Sequence, residues 1–241
     1  MAQTDGMTVE SLTEQLSTEC SSSLRSTLSV ELGTVLTLPD QNPHLPGAVG
    51  YQATTTLTWY PHDEDNPSDL QLLGSIAGQG TEVDSGVEFT VGHGNFIMVD
   101  MLQPDLFEAL DERESDLSYL GSCLFAAHAN DGYEIEAELD NLESTAILVN
   151  SVEVDPQWRG LRLGLLATGL VIQELGRSSS FAALHPMQPG LDDPHERSRS
   201  HRRLAGYWSQ LGFRPWREEV LVLDLSTRTL DDNMSELLAR Y

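Results

Sequence analysis

The apolar positions of this chain change period several times, and each change predicts an element. Residues 48–60, AVGYQATTTLTWY, are β-branched and aromatic with partial alternation, which predicts a strand. LQLLGSIAG (70–78) and GVEFTVGHGNFIMVD (86–100) predict two more, with GHGN at 92–95 read as a hairpin turn. The spacing of Phe107, Leu110, Leu117, Leu120 and Leu124 predicts helix across 104–125, opened by Pro104-Asp105. NDGYEIEAEL (130–139) fits neither period. AILVNSVEV (146–154) predicts a buried strand, 162–176 a helix, and SFAALHP (180–186) another strand. A helix over 195–212 is closed by Gly212 as its cap, and FRPWREEVLVLDLS (213–226) predicts a final strand or bent strand pair. Strands first, then strand, helix, strand, helix, strand: this order predicts a mixed α/β sheet domain.

That domain is expected over 49–230. Residues 1–48 are rich in Ser and Thr and end in the turn-formers PDQNPHLPG, so they predict an appendage and linker. Within them TVESLTEQLSTECSSSLRSTL (8–28) predicts a marginal amphipathic helix with Leu12, Leu16 and Leu24 on one side. Residues 231–241 are expected as a C-terminal tail.

Composition narrows the class. The 241 residues suffice for one large domain, or one domain plus an appendage. No apolar run is long enough to span a bilayer, and the opening MAQTDGMTVESLTEQL has neither a basic segment nor a signal-like core. A soluble, cytoplasmic protein is expected. Cys20 and Cys123 lack CxxC spacing and predict ordinary reduced thiols.

Charge changes the picture more. All thirteen basic residues are arginine, so a Walker-type phosphate loop, a Schiff-base lysine and a lysine base are excluded. Residues 1–158 hold 28 acids and two arginines; residues 159–241 hold ten acids and eleven arginines, for a total of −25. So acidic a body repels nucleic acid and acidic membranes and favours a cationic partner. The second half alone suits an anion.

Candidate chemistry centres on QWRGLRLG (157–164), between the strand at 146–154 and the helix that follows. A helix's first N–H groups point outward without partners, and its dipole favours negative charge there. Gly160 allows close backbone approach, and Arg159 and Arg162 add forked donors. On its own the turn fits a phosphate-type anion or a plain strand–helix turn with surface arginines. Only Gly160 and Gly164 fit the register of a dinucleotide GxGxxG, so that fingerprint is absent.

VEVDPQWRGLRLGLLATGLVIQEL resembles the acyl-CoA-binding motif of the GNAT (GCN5-related N-acetyltransferase) superfamily, V-x-P-x-x-R-G-x-G-x-G, at Val154, Pro156, Gln157, Gly160 and Gly164. RRLAGYWSQLGFRPW is similar to that family's second motif through Leu211, Gly212 and Phe213. The likeness covers about 145–225, and the strands from 49 more loosely. It implies a mostly antiparallel central sheet with a splayed strand pair and flanking helices. It implies acetyl-CoA as acyl donor, Val152 and Val154 along the pantetheine arm, and turn residues Gln157, Trp158, Arg159, Gly160, Leu161, Arg162, Leu163 and Gly164 at the pyrophosphate. It implies direct attack of an amine on the thioester, with no acyl-enzyme.

The sequence departs from the family pattern in three places. Arg162 stands at a Gly/Ala position. Trp208 stands where a tyrosine acid often falls, with Tyr207 one residue, about 100°, around the helix. Ala146 stands where some members carry a glutamate base. The candidate proton-transfer groups are therefore Glu153, His185 and Tyr207, with a cationic amine as the expected acceptor. A non-catalytic acyl-CoA-binding module engaging a protein partner is the alternative. HERSRSHRR (195–203) predicts a solvated helix face. His185, Asp192, Asp193 and His195 lack metal-ligand spacing, so no metal is expected.

Overall fold

Strand-forming stretches from both halves of the chain meet in one eight-stranded sheet. The computed structural model describes residues 26–35, 47–60, 80–83, 86–103, 106–111, 115–125, 135 and 143–240. The strands are β1 (Ser26–Val35), β2 (Ala48–Trp59), β3 (Thr81–Val83), β4 (Gly86–Asp100), β5 (Thr145–Val154), β6 (Ser179–Leu184), β7 (Arg214–Pro215) and β8 (Leu221–Asp224). The helices are α1 (Leu106–Asp111), α2 (Ser115–Phe125), α3 (Leu163–Leu175), α4 (Pro194–Trp208) and α5 (Thr229–Leu238). The order across the sheet is β1-β2-β4-β5-β6-β8-β7, with β3 pairing β4 off this path. The β5–β6 pair is parallel and the others are antiparallel. The mixed, mostly antiparallel sheet with flanking helices is thus the observed architecture.

Each face of the sheet carries its own apolar layer. On one side Phe96, Ile147, Val149, Ala182 and Leu184 pack with Leu165, Leu166 and Ile172 of α3, Trp208 of α4, and Leu230, Met234 and Leu237 of α5. On the other, Ile97, Val99, Ala146, Leu148, Phe181 and Ala183 pack under Leu106 and Leu110 of α1 and Leu117, Leu120 and Leu124 of α2. The alternation along β5 and β6 divides the two sets, as a strand period of two requires. Helix α3 (LGLLATGLVIQEL) is apolar nearly all round, and nine of its residues are buried. A helix of that kind belongs in the interior.

Three expectations change. Residues 26–35, assigned to the appendage, form an edge strand paired with β2 along its whole length. Residues 92–95 are not a hairpin turn, because β4 runs unbroken from Gly86 to Asp100. The helix expected over 104–125 is described at Leu106–Asp111 and Ser115–Phe125, and 112–114 lie outside the described residues. Most of the expected C-terminal tail is α5, whose Met234 and Leu237 are core. The strand at 70–78, the acidic stretch at 130–139 apart from Ile135, and the amphipathic positions Leu12, Leu16 and Leu24 lie outside the described residues. Among the described residues, no helix is long and apolar enough to cross a membrane.

Candidate functional site

The site begins where β5 and β6 part. Their parallel pairing starts at Thr145↔Ser179 and ends at Val149↔Leu184. Strand β5 continues to Val154, still paired with β4 through Asn95↔Ser151, Gly94↔Val152, His93↔Glu153 and Gly92↔Val154. Along Ser151–Val154 its other edge therefore has no strand beside it among the described residues. Two local causes are visible. The β4–β5 register slips between Asn95 and Phe96, leaving Asn150 as an extra residue, and such a bulge bends and twists its strand. On β6, the chain leaves through His185-Pro186, and proline has no N–H for a ladder.

The fork leads directly into the 157–164 turn. Trp158 and Arg159 tighten a 3-10 turn by donating N–H to Asp155 O at 2.8 Å and Pro156 O at 3.3 Å. The Trp158 ring is buried against Phe89, centroids 5.4 Å apart, in a small cluster with Trp59, Val91 and Leu163. Its indole anchors the turn to the sheet. Gly160 (φ 89) and Arg162 (φ 55, ψ 14) are both left-handed. An arginine thus occupies a left-handed position in this turn.

That geometry leaves a row of amides at the start of α3. Leu165 and Leu166 donate back to Arg162 O at 3.0 and 3.1 Å. Among the described residues, the N–H groups of Gly160, Arg162, Leu163 and Gly164 find no protein acceptor. No acid sits in the first turn of α3. Arg159 Nε donates to Val154 O at 2.8 Å, so this guanidinium is tied to the end of the unpaired edge. Gln157 is exposed and Leu161 half-buried at the rim.

Val152 and Val154 face α3 across a narrow cleft. Gly92 and Gly94 of β4 and Gly164, Ala167 and Thr168 of α3 also line it. Thr168 Oγ1 is buried there without a hydrogen-bond partner. A methyl group placed on Gly164 would lie 2.9 Å from the Tyr207 hydroxyl and 3.0 Å from Val154 Cγ2. The structure therefore brings Tyr207 to the mouth of the fork. Trp208 is 8% exposed and packs in the core, its ring 6.2 Å from Phe213 and 5.1 Å from Tyr207.

Glu153 and His185 belong to the other face. Glu153 sits opposite His93, exposed, with its side chain turned away from Val152 and Val154. Beside it Asn95 donates to Ser151 Oγ at 2.8 Å. His185 follows the last paired residue of β6, and its ring lies 4.5 Å from that of Tyr119 on α2. Its Nε2 is 3.8 Å from Glu219 Oε2. Burial lowers the His185 pKa, partly offset by the charges of Asp116 and Glu219. Burial, with Cys123, Glu218 and Glu219 nearby, pushes the Tyr119 phenol up to about 12. Ala146 is fully buried and supplies no base. The three candidate proton-transfer residues thus divide, Tyr207 on the α3 side and Glu153 and His185 on the other. Sequence reading passed over Asp116, Tyr119 and Glu219. The paired acids of WREEV were the one visible hint, and only the fold brings them to His185.

Comparison with protein-family models, with curated proteins and with solved structures finds no match to this chain.

Proposed function

We propose that the chain is an acyl-CoA-dependent N-acyltransferase, with acetyl-CoA as donor and an amine as acceptor. The observation that carries this reading is the fork, an unpaired β5 edge that runs straight into the amides at the start of α3. Pantetheine is an extended chain with two amide groups, and a strand edge is the surface such a chain pairs with. The amides of Gly160, Arg162, Leu163 and Gly164, with the dipole of a 13-residue helix behind them, suit a pyrophosphate. Arg162 adds a positive charge at the same turn. These residues fit the cofactor that the sequence resemblance implies.

Bound there, acyl-CoA supplies an activated thioester carbonyl. The chain's own residues then have two tasks, removing a proton from the entering ammonium and giving one to the departing sulfur. We assign the second to Tyr207, whose hydroxyl lies on the α3 side of the cleft beside Val154 and Gly164. The first belongs on the opposite face, where Glu153, His185 and Glu219 lie.

The alternative, a non-catalytic acyl-CoA-binding module, draws support from Ala146 and Trp208, both taken up by the core. Two measurements separate the readings. Saturating acetyl-CoA or CoA is expected to raise the melting temperature, since a ligand at a hundred times its Kd adds about 2.7 kcal/mol. No shift at millimolar ligand overturns both readings. A shift without thiol release across a panel of amines leaves the binding module.

A further inference from the structure

One polar group on the α3 side of the fork is left unmatched by the fold. Thr168 is 1% exposed, and its Oγ1 has no hydrogen-bond partner among the described residues. A threonine inside a helix often returns its hydroxyl to the carbonyl four residues back, here Gly164 O, and this one does not. Buried hydroxyls without a partner are rare in native proteins, since burial removes water and puts nothing in its place. Valine has nearly the same shape, is equally stiff in a helix and carries no such cost. The hydroxyl at 168 therefore points to a partner outside the chain.

Its placement narrows the chemistry of that partner. Thr168 lies one helical turn beyond Gly164, on the same side of α3. That side faces β5, because a methyl on Gly164 would lie 3.0 Å from Val154 Cγ2 and 3.8 Å from Val152 Cγ1. Val152, Val154, Ala167 and Thr168 line one cleft with Gly92 and Gly94, which add no side chain to it. The hydroxyl thus shares the cleft with branched apolar groups. From Gly164 to Thr168 the helix advances about 6 Å. In CoA, the chain leaving the pyrophosphate reaches the pantoyl hydroxyl and then the pantoyl carbonyl within five bonds. An extended chain covers about 6 Å in that number of bonds. The carbon just before the hydroxyl carries two methyl groups.

We propose that Thr168 reads the pantoyl group of CoA, donating its Oγ1–H to the pantoyl carbonyl while Val152 and Val154 meet the paired methyls. The inference rests on the acyl-CoA reading of the fork and names the part of the ligand that the chain selects. The amides at the start of α3 suit any pyrophosphate, including that of a plain nucleotide. A polar group about 6 Å further on, beside apolar branches, satisfies Thr168 as well and separates CoA from such nucleotides.

The test compares Thr168→Val and Thr168→Ser with the parent, in the full-length protein, by calorimetric titration and thermal melts. The ligands are CoA, 4′-phosphopantetheine and 3′-phospho-ADP, which keeps the nucleotide and pyrophosphate of CoA and lacks the pantetheine. Thr168→Val is expected to weaken CoA and 4′-phosphopantetheine about tenfold, the size of one hydrogen bond, and to leave 3′-phospho-ADP unchanged. Without ligand it should melt roughly 2–4 °C above the parent, because the unmatched hydroxyl is gone. Thr168→Ser keeps the hydroxyl and should keep most of the CoA affinity. A threonine that only holds the fold together gives the reverse pattern, a lower melting temperature in Thr168→Val with CoA bound as in the parent. Equal CoA affinity in parent and Thr168→Val removes Thr168 from the site and leaves the acyl-CoA reading standing. An equal loss for 3′-phospho-ADP places the damage at the turn and also overturns the proposal. A parent that binds neither CoA nor 4′-phosphopantetheine overturns the acyl-CoA reading itself, and the role of Thr168 with it.

Discussion

Arg162 and Gly160 make opposite demands on the same turn, and exchanging their chemistry should change stability in opposite directions. Arg162 holds φ 55 and ψ 14, and Gly160 holds φ 89. A left-handed backbone costs an L side chain about 1–2 kcal/mol, because Cβ crowds the following carbonyl. Arg162→Gly removes that cost but gives the unfolded chain more freedom, worth about 0.4–1 kcal/mol against it. The net expectation is a gain of about 0.5–1 kcal/mol, or roughly 1–4 °C in melting temperature for a chain of this size. Gly160→Ala introduces the cost and should lose about 1–2 kcal/mol. Urea unfolding of both variants, with unchanged m-values, reads the difference directly. If Arg162→Gly is destabilised by more than about 1 kcal/mol, the Arg162 side chain is an anchor and the left-handed turn is not its main feature. If Gly160→Ala matches the parent, the turn does not have this backbone. Arg162→Gly also keeps every turn amide while removing the guanidinium, so any loss of CoA affinity measures that charge alone.

Other consequences follow from the same geometry. Gly164→Ala places a methyl 2.9 Å from the Tyr207 hydroxyl, so it should lower both stability, by about 1–3 kcal/mol, and the CoA-induced melting shift; an unchanged shift would move Tyr207 away from the fork. Tyr207→Phe should cut the rate of thiol release about a hundredfold with CoA affinity retained, and a variant with parental turnover would remove Tyr207 as the proton donor. Gly169→Ala would drive a methyl into Met234 where α3 crosses α5, costing about 1–3 kcal/mol by thermal melts, and Met234→Ala in the same chain should recover part of it. The folded-state pKa of His185 lies below its ordinary value of 6.5, so its contribution to stability is present above that pH and is lost as pH falls through and below it. His185→Gln should flatten that part of the stability profile. Tyr119, raised to about 12, has the opposite sign, with stability lost as pH rises from 10 towards 12, and Tyr119→Phe should remove that loss.

The parts of the site that follow from backbone rules were legible in the sequence. An apolar strand, a short polar turn with glycine, and an apolar run predict a strand–turn–helix unit, and β5, the turn and α3 have that form. Gly212 was read as a helix stop, and it stands left-handed at φ 100 after α4. GHGN misled because glycine serves two purposes. At Gly92 it marks a close approach, since a side chain there would strike the backbone carbonyl of Glu153, and the strand simply continues. The strand at 26–35 was missed because STLSVELGTV has weak alternation, and its stability comes from pairing along β2.

Pattern and composition alone determined the α/β class, the acidic first half with an arginine-bearing second half, and the turn at 157–164. These depend on local periodicity and on charge count, which no packing can alter. Tertiary structure decided the fork, because that needs the β4–β5 register slip and the departure of β6 at His185-Pro186 together. It decided the phase of α4: Trp208, Leu211 and Phe213 satisfy the core, and that rotation sets Tyr207 over Gly164. It also brought Tyr119 and Glu219 to His185 from segments far apart in the chain. Such a meeting is a contact between elements, and a sequence read residue by residue contains the elements but not their contacts.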